Sequence, residues 1–361
     1  MQRATTISTA KARGFRGDLV RWCAGLLMGT VLVGITSPLM VRSYVPRRFD
    51  AERNALVFES GHRYRWRSEG YATTSIGPHG MAGRLSLVRP SAERRVIALW
   101  GDSQAEGMCV DDSDKIHSAI EDASLKKIAV LPFARSGDDC NDWIRQIESI
   151  DSGQSAITVD AHLILVVEWS DWMIPIEDPR ESVNPLVNQA SGHLPAFLIQ
   201  AARNVITDGI SNERRSLRFR PGPISSDRHL SAPRQTDGVG MIERQFARLR
   251  LATEKRCVLV NAPMMPAIVG GEVLWADEQE RLHELVFQLA IRNGIEVIDL
   301  REDFRELVRD GQWPRGFHNG RFGDGHYNAL GNAWIANRVV AWWDQKGNQA
   351  KTKSTNLVSG Q

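Results

Sequence analysis

Five short apolar runs dictate most of what this chain can become. They are Val96-Ile97-Ala98-Leu99-Trp100, Ile128-Ala129-Val130-Leu131, Leu163-Ile164-Leu165-Val166-Val167, Cys257-Val258-Leu259-Val260 and Ile295-Glu296-Val297-Ile298-Asp299. Each has strand length, and most are continuously apolar, the pattern of strands buried on both faces. Helical spacing fills the gaps, over residues 114–125, 140–150, 240–255, 276–293 and 301–308, with a last helix over 328–343. Such alternation gives a parallel sheet covered by helices on both sides. The expected fold is a three-layer, doubly wound α/β sandwich of flavodoxin-like type, with a central parallel sheet of about five strands. It should occupy residues 45–345, with short strands and loops over 44–94 leading in. Residues 178–236, rich in Pro, Ser, Asn and Arg, break the rhythm and read as an insertion over one end of the sheet.

A second constraint lies near the N-terminus. Trp22 to Val41 carries no charge, and a bilayer core needs about 20 such residues. A buried helix would normally keep a polar face, and this stretch has none. Arg3, Lys11, Arg13, Arg16 and Arg21 precede it, which predicts a cytoplasmic N-terminus. No good small-x-small cleavage site follows, so an uncleaved anchor over 19–41 is favoured over a signal peptide. The expected order is a polar tail over 1–18, the anchor, the α/β domain, and a disordered tail over 346–361. The domain would then face the periplasm from a bacterial inner membrane that the chain crosses once.

Lys plus Arg is 45 against 43 for Asp plus Glu, a balance that argues against nucleic acid as a partner. Four cysteines are too few for a disulfide scaffold, and none shows zinc spacing, so neither a metal nor a cofactor is expected.

Chemistry concentrates where the first run ends, in Gly101-Asp102-Ser103-Gln104-Ala105-Glu106-Gly107. Open α/β sheets gather ligands outside the carboxyl ends of their strands. Ser103 is therefore a candidate nucleophile. A serine hydroxyl needs a base, usually His, and that His benefits from a carboxylate. His326 stands out in Gly323-Asp324-Gly325-His326-Tyr327-Asn328, just before the last helix. In an extended segment residues two apart share a side, so Asp324 is the expected partner of His326. The alternative is a loop that merely caps the helix through Asn328. Oxyanion donors are expected at the Ser103 and Gly137 backbone N–H groups and at Ser170. Trp169 and Asp171 beside Ser170 are candidates for substrate binding. Trp169 and Trp172 could stack on sugar rings or simply pack in the core. His162 and His283 are expected to be structural. Cys109 and Cys140 follow two turns at one sheet edge. They are either a disulfide or two separate buried thiols.

Taken together these segments resemble the SGNH/GDSL hydrolases over about residues 71–341. Gly101-Asp102-Ser103 matches the nucleophile motif. Gly137 in Arg135-Ser136-Gly137-Asp138 matches the oxyanion glycine. Glu168-Trp169-Ser170-Asp171 falls where the family carries Gly-x-Asn-Asp, and Asp324-Gly325-His326 matches the acid and base. The resemblance implies Ser103 as nucleophile and oxyanion donor, His326 as general base then acid, Asp324 as its orienting group, and Gly137 as a second donor. Ser170 replaces the family's asparagine. Asp-x-His in place of Asp-x-x-His resembles the exported or membrane-anchored subgroup that O-acetylates exopolysaccharides such as alginate.

The expected function is an extracytoplasmic serine esterase or O-acyltransferase acting on acetyl groups of a polysaccharide or another small ester. A membrane acyltransferase partner would supply the acyl group if transfer occurs. Two other functions stay open: an inactive scaffold or polysaccharide-binding subunit of an envelope complex, and a lipase.

Overall fold

The computed structural model describes residues 10–40, 43, 45–67, 69–153, 155–176, 235–264, 266–269, 272–274, 277–320 and 323–358. The expected insertion lies outside them as far as residue 234, as do residues 1–9 of the tail.

The chain opens with helix α1 (Ala10–Met40). Within it, Gly17–Thr36 has a mean hydropathy of 1.7 and none of it is buried in the protein, so it is long and apolar enough to cross a membrane. The same features would suit a signal sequence. Two antiparallel hairpins follow: β1 (Arg47–Asp50) with β2 (Ala55–Phe58), and β3 (Arg63–Arg65) with β4 (Thr73–Ser75). They carry a small core of their own, built from Val45, Tyr64, Ile76, Ala82 and Met108.

The α/β body then runs through β5 (Arg95–Trp100), α2 (Ser103–Glu106), α3 (Ile116–Ala123), β6 (Ile128–Pro132), α4 (Cys140–Asp151), β7 (Ala161–Val166) and α5 (Gln235–Ala252). It continues through β8 (Arg256–Asn261), the small hairpin β9 (Ala267–Val269) and β10 (Glu272–Leu274), α6 (Asp277–Arg292), β11 (Glu296–Asp299), α7 (Arg301–Arg309) and α8 (Ala329–Val358). The main sheet has the order β11-β8-β7-β5-β6, and every pairing in it is parallel. Counted along the chain this is the 2-1-3-4-5 order of a flavodoxin-like sheet. The α/β fold expected from the sequence is the fold observed.

Alternation within each strand builds the layers. Val96, Ala98 and Trp100 of β5 face α4, α5 and α6, where Trp143, Phe246 and Val286 wait. Ile97 and Leu99 face α3, α7 and α8, against Ile120, Phe304 and Ile335. Both faces of β5 are thus sealed, and removing one such aliphatic side chain costs about 2–5 kcal/mol.

Two ends of the chain differ from expectation. Helix α1 starts at Ala10, ahead of the predicted anchor boundary at residue 19. Helix α8 runs to Val358, although a disordered tail was expected from residue 346. The sequence there holds no proline, and the helix nucleated by its packed half continues through Gly347 and Asn348, which weaken a helix without breaking it. Lys346 ties that junction to β11 through a 3.2 Å ion pair with Glu296.

Candidate active site

The order of the sheet reverses between β5 and β7, and ligand sites of such folds lie at that crevice. Ser103 follows β5, Gly137 follows β6 and Ser170 follows β7, so all three sit at the carboxyl edge of neighbouring strands.

The turn at Ser103 is built by its neighbours. Gly101 has φ +149° and leaves so little room that a Cβ would meet that of Ala105 at 2.7 Å. The Asp102 carboxylate caps α2 by accepting from the Gln104 N–H at 2.8 Å. Burial raises the pKa of Asp102, against that hydrogen bond and the charges of His326 and Arg315. Helix α2 ends at Gly107 in the left-handed region.

His326 Nε2 lies 3.0 Å from Ser103 Oγ, and its Nδ1 lies 2.8 Å from Oε2 of Glu69. The other oxygen of Glu69 accepts from the His326 backbone N–H at 2.7 Å. Burial pushes Glu69 up, but the bonds from the His326 ring and backbone outweigh it and hold the carboxyl below its ordinary range, with help from Arg315. Ser103, His326 and Glu69 form a continuous hydrogen-bonded chain. Trp66 and the imidazole meet in a T-shaped contact, with ring centroids 6.3 Å apart.

Glu69 comes from the loop between β3 and β4. Gly70 fixes that loop: its φ is +66°, and a Cβ there would stand 2.2 Å from the Cys109 carbonyl oxygen. Its N–H donates to Asn319 Oδ1 at 2.9 Å. On the other side, the loop of His326 is clamped by two residues. Arg315 donates to the Gly325 carbonyl through Nε at 2.9 Å and through Nη2. Gln104 donates to the same oxygen at 3.3 Å and accepts from the Tyr327 N–H at 3.1 Å.

Asp324, the expected partner of His326, is exposed, and among the described residues it accepts only from the N–H of Gly325, at 2.9 Å. The expectation assumed an extended segment. Gly323 and Gly325 instead have φ of +78° and +87°, so the chain turns on either side of Asp324 and the alternation fails. Glu69 stands where Asp324 was expected. Its only trace in the sequence is a Glu-Gly pair in a stretch read as a lead-in, and nothing local marks it as a partner of a histidine far along the chain.

The glycine turn after β6 is tied to the Ser103 turn. The Arg135 N–H and the Trp143 indole both donate to the Gly101 carbonyl, each at 3.2 Å. The Ser136 N–H donates to the buried Glu106 at 3.0 Å. Gly137 itself is exposed with φ +87°. Among the described residues, neither the Ser103 nor the Gly137 backbone N–H has an acceptor. The Ser170 hydroxyl faces Glu168 at 3.3 Å. Asp171 is half-buried, and burial together with Asp102, Glu168 and Asp139 pushes it up to about 7.

Trp169 does not offer a face to a ligand. It is buried, its indole donates to His283 Nδ1 at 2.8 Å, and it packs on Phe287. The reason is the short 3₁₀ turn Trp169–Trp172, which turns both tryptophans inward against α5 and α6. His283, held near 4 by burial and Arg301, is the neutral acceptor there. His162 is a core residue too, accepting from the Trp100 indole at 3.1 Å. Cys109 and Cys140 are both buried free thiols. Cys140 belongs to the cluster beneath α4, whereas the backbone of Cys109 lies against Gly70, so the disulfide reading gives way to separate thiols.

No protein-family profile matches the chain, and no curated protein does. Solved structures do. A member of the lipolytic protein G-D-S-L family from Veillonella parvula is 13% identical, with 68% of this chain and 97% of that one aligned at a TM-score of 0.38. The acetyl xylan esterase AlAXEase is 12% identical over 68% and 98% of the two chains, with a TM-score of 0.38. A lipase/acylhydrolase from Enterococcus faecalis is 12% identical over 70% and 96%, again at 0.38.

Proposed function

We propose that this chain is a serine esterase or O-acyltransferase that forms an acyl-enzyme on Ser103. The single observation behind this reading is the run of hydrogen bonds from Ser103 Oγ through His326 to Glu69, at 3.0 and 2.8 Å. A serine, an imidazole and a carboxylate so linked have the geometry of an activated nucleophile.

In the proposed reaction Ser103 Oγ attacks the ester carbonyl carbon while Nε2 of His326 takes the hydroxyl proton. Glu69, kept ionised by its bonds to His326, stabilises the imidazolium and fixes the ring. The tetrahedral oxyanion is held by the Ser103 and Gly137 N–H groups, which have no other acceptor among the described residues, and by Ser170. His326 then returns its proton to the departing alcohol, leaving acyl-Ser103. Water or a sugar hydroxyl, deprotonated by the same nitrogen, releases the acyl group. Asp171, next to Ser170, would contact the substrate.

The substrate in this reading is an acetylated carbohydrate, as the resemblance to exopolysaccharide O-acetylating proteins suggests. The basic residues ahead of the uncharged stretch Trp22 to Val41 support an inner-membrane anchor with residues 45–345 in the periplasm. A membrane partner would then supply the acetyl group.

A serine-reactive phosphonate should label the full-length protein and fail on Ser103→Ala. An acetyl donor offered with and without a polysaccharide then separates the two reactions. Sugar acetylation that needs Ser103 establishes transfer, and free acetate alone establishes hydrolysis. Absence of labelling in a protein that still binds polymer returns the scaffold reading.

A further inference from the structure

Cys109 stands beside the hydrogen-bonded chain, and the proposed reaction does not use its thiol. Its Sγ, a carboxylate oxygen of Glu69 and a ring nitrogen of His326 all lie within 4.8 Å of one another. The thiol is buried and unbridged, while Glu69 and His326 are half-buried and reachable from solvent. One sulfur, one imidazole nitrogen and one carboxylate oxygen make a donor set suited to a borderline-soft ion such as zinc or cobalt, and not to magnesium or calcium.

We propose that Glu69, Cys109 and His326 form an inhibitory site for a divalent cation of the zinc class. Binding releases the thiol proton of Cys109 to solvent and places the cation on Nδ1 of His326. The single proton of the neutral ring then resides on Nε2. That nitrogen becomes a donor toward Ser103 and has no lone pair left to accept the hydroxyl proton. The carboxylate that steadied the ring is spent on the ion at the same time. Metal binding and turnover are therefore mutually exclusive at this site. The ligands come from the β3–β4 loop, the turn after α2 and the loop before α8, so no sequence spacing announces the set.

The effect on turnover rests on the esterase reading; the site itself does not. The full-length protein in detergent is titrated with buffered zinc while it cleaves p-nitrophenyl acetate, beside Cys109→Ala and Cys109→Ser. Both variants should match the parent rate in chelator, and both should need at least about 100-fold more zinc for half-inhibition, since a direct ligand is lost and even an outer-shell partner is worth about 10–100-fold. In parallel, cobalt added to the parent should give the near-ultraviolet thiolate-to-cobalt band and lose it in both variants. The band is read whether or not the protein cleaves the ester, so an inactive protein overturns the esterase reading and leaves the metal site on trial. Equal zinc sensitivity in parent and variants, or no band in the parent, overturns the proposal.

Discussion

The two halves of the candidate site rest on very different supports. Ser103 stands at the end of a central strand, sealed on both faces and paired with β6 and β7. Glu69 stands on a loop between two three-residue strands that, among the described residues, pair only with each other. A lone two-stranded hairpin is marginal in water, so the position of Glu69 depends on what the loop packs against. Gly70 wedged on the Cys109 carbonyl and bonded to Asn319 supplies that packing. Ser103 is placed by the sheet, and Glu69 is placed by loop contacts.

The sharpest way to test this contrast is to change the carboxylates. Glu69→Gln should lower kcat by about 10,000-fold, the scale seen when the residue orienting a catalytic histidine is neutralised. Asp324→Asn should leave both kcat and stability near the parent, within about 0.5 kcal/mol for stability. The reverse pattern in steady-state kinetics would restore Asp324 as the acid. Next in size is Gly70→Ala, which forces a side chain into a positive φ and into the Cys109 carbonyl. It should destabilise the hairpin layer by about 1–3 kcal/mol and cut kcat, while the far-ultraviolet circular dichroism of the α/β body stays intact.

Acid–base behaviour separates the halves again. Glu106, which holds the Ser136 N–H, is pushed up to about 7 by burial, against that hydrogen bond and the charge of Lys115. Its folded value lies above the unfolded one, so the folded state binds the proton more tightly. Stability from this group is full below the ordinary carboxylate range and is lost as pH rises through about 7. Glu106→Gln keeps an acceptor for Ser136 and cannot ionise, so the loss of Tm between acidic and mildly basic buffer should shrink. Glu69 has the opposite sign: its contribution is full above the ordinary carboxylate range and fades as pH falls through its lowered value. The smallest effect belongs to Trp169→Phe. Losing the bond to His283 should cost about 0.5–1.5 kcal/mol and leave KM for acetylated sugars unchanged, whereas a sugar-stacking role would raise it.

Most of the α/β body was legible because its signals are local. An apolar run predicts its own strand, and Gly101, Asp102 and Ser103 predict their own turn. His326 was legible because glycines and a following helix frame it. Glu69 was not, since its partner lies on another layer and the hairpins carrying it are too short to show a pattern. Asp324 misled for a related reason: sequence spacing shows two residues apart, but the φ values of the glycines beside it decide which way they point. Trp169 showed an aromatic next to a strand end, and only the packing of α5 and α6 revealed that it faces inward.

The small core beneath the β1–β4 hairpins has a thermal consequence. Proteins open in cooperative pieces of unequal free energy, and a satellite layer with few apolar residues is among the first to open. Opening it would withdraw Glu69 from His326 while the parallel sheet remains folded. Heating should therefore switch turnover off reversibly at temperatures below the main melting transition, and amide exchange should place residues 63–75 in an earlier-opening unit than β5 and β7.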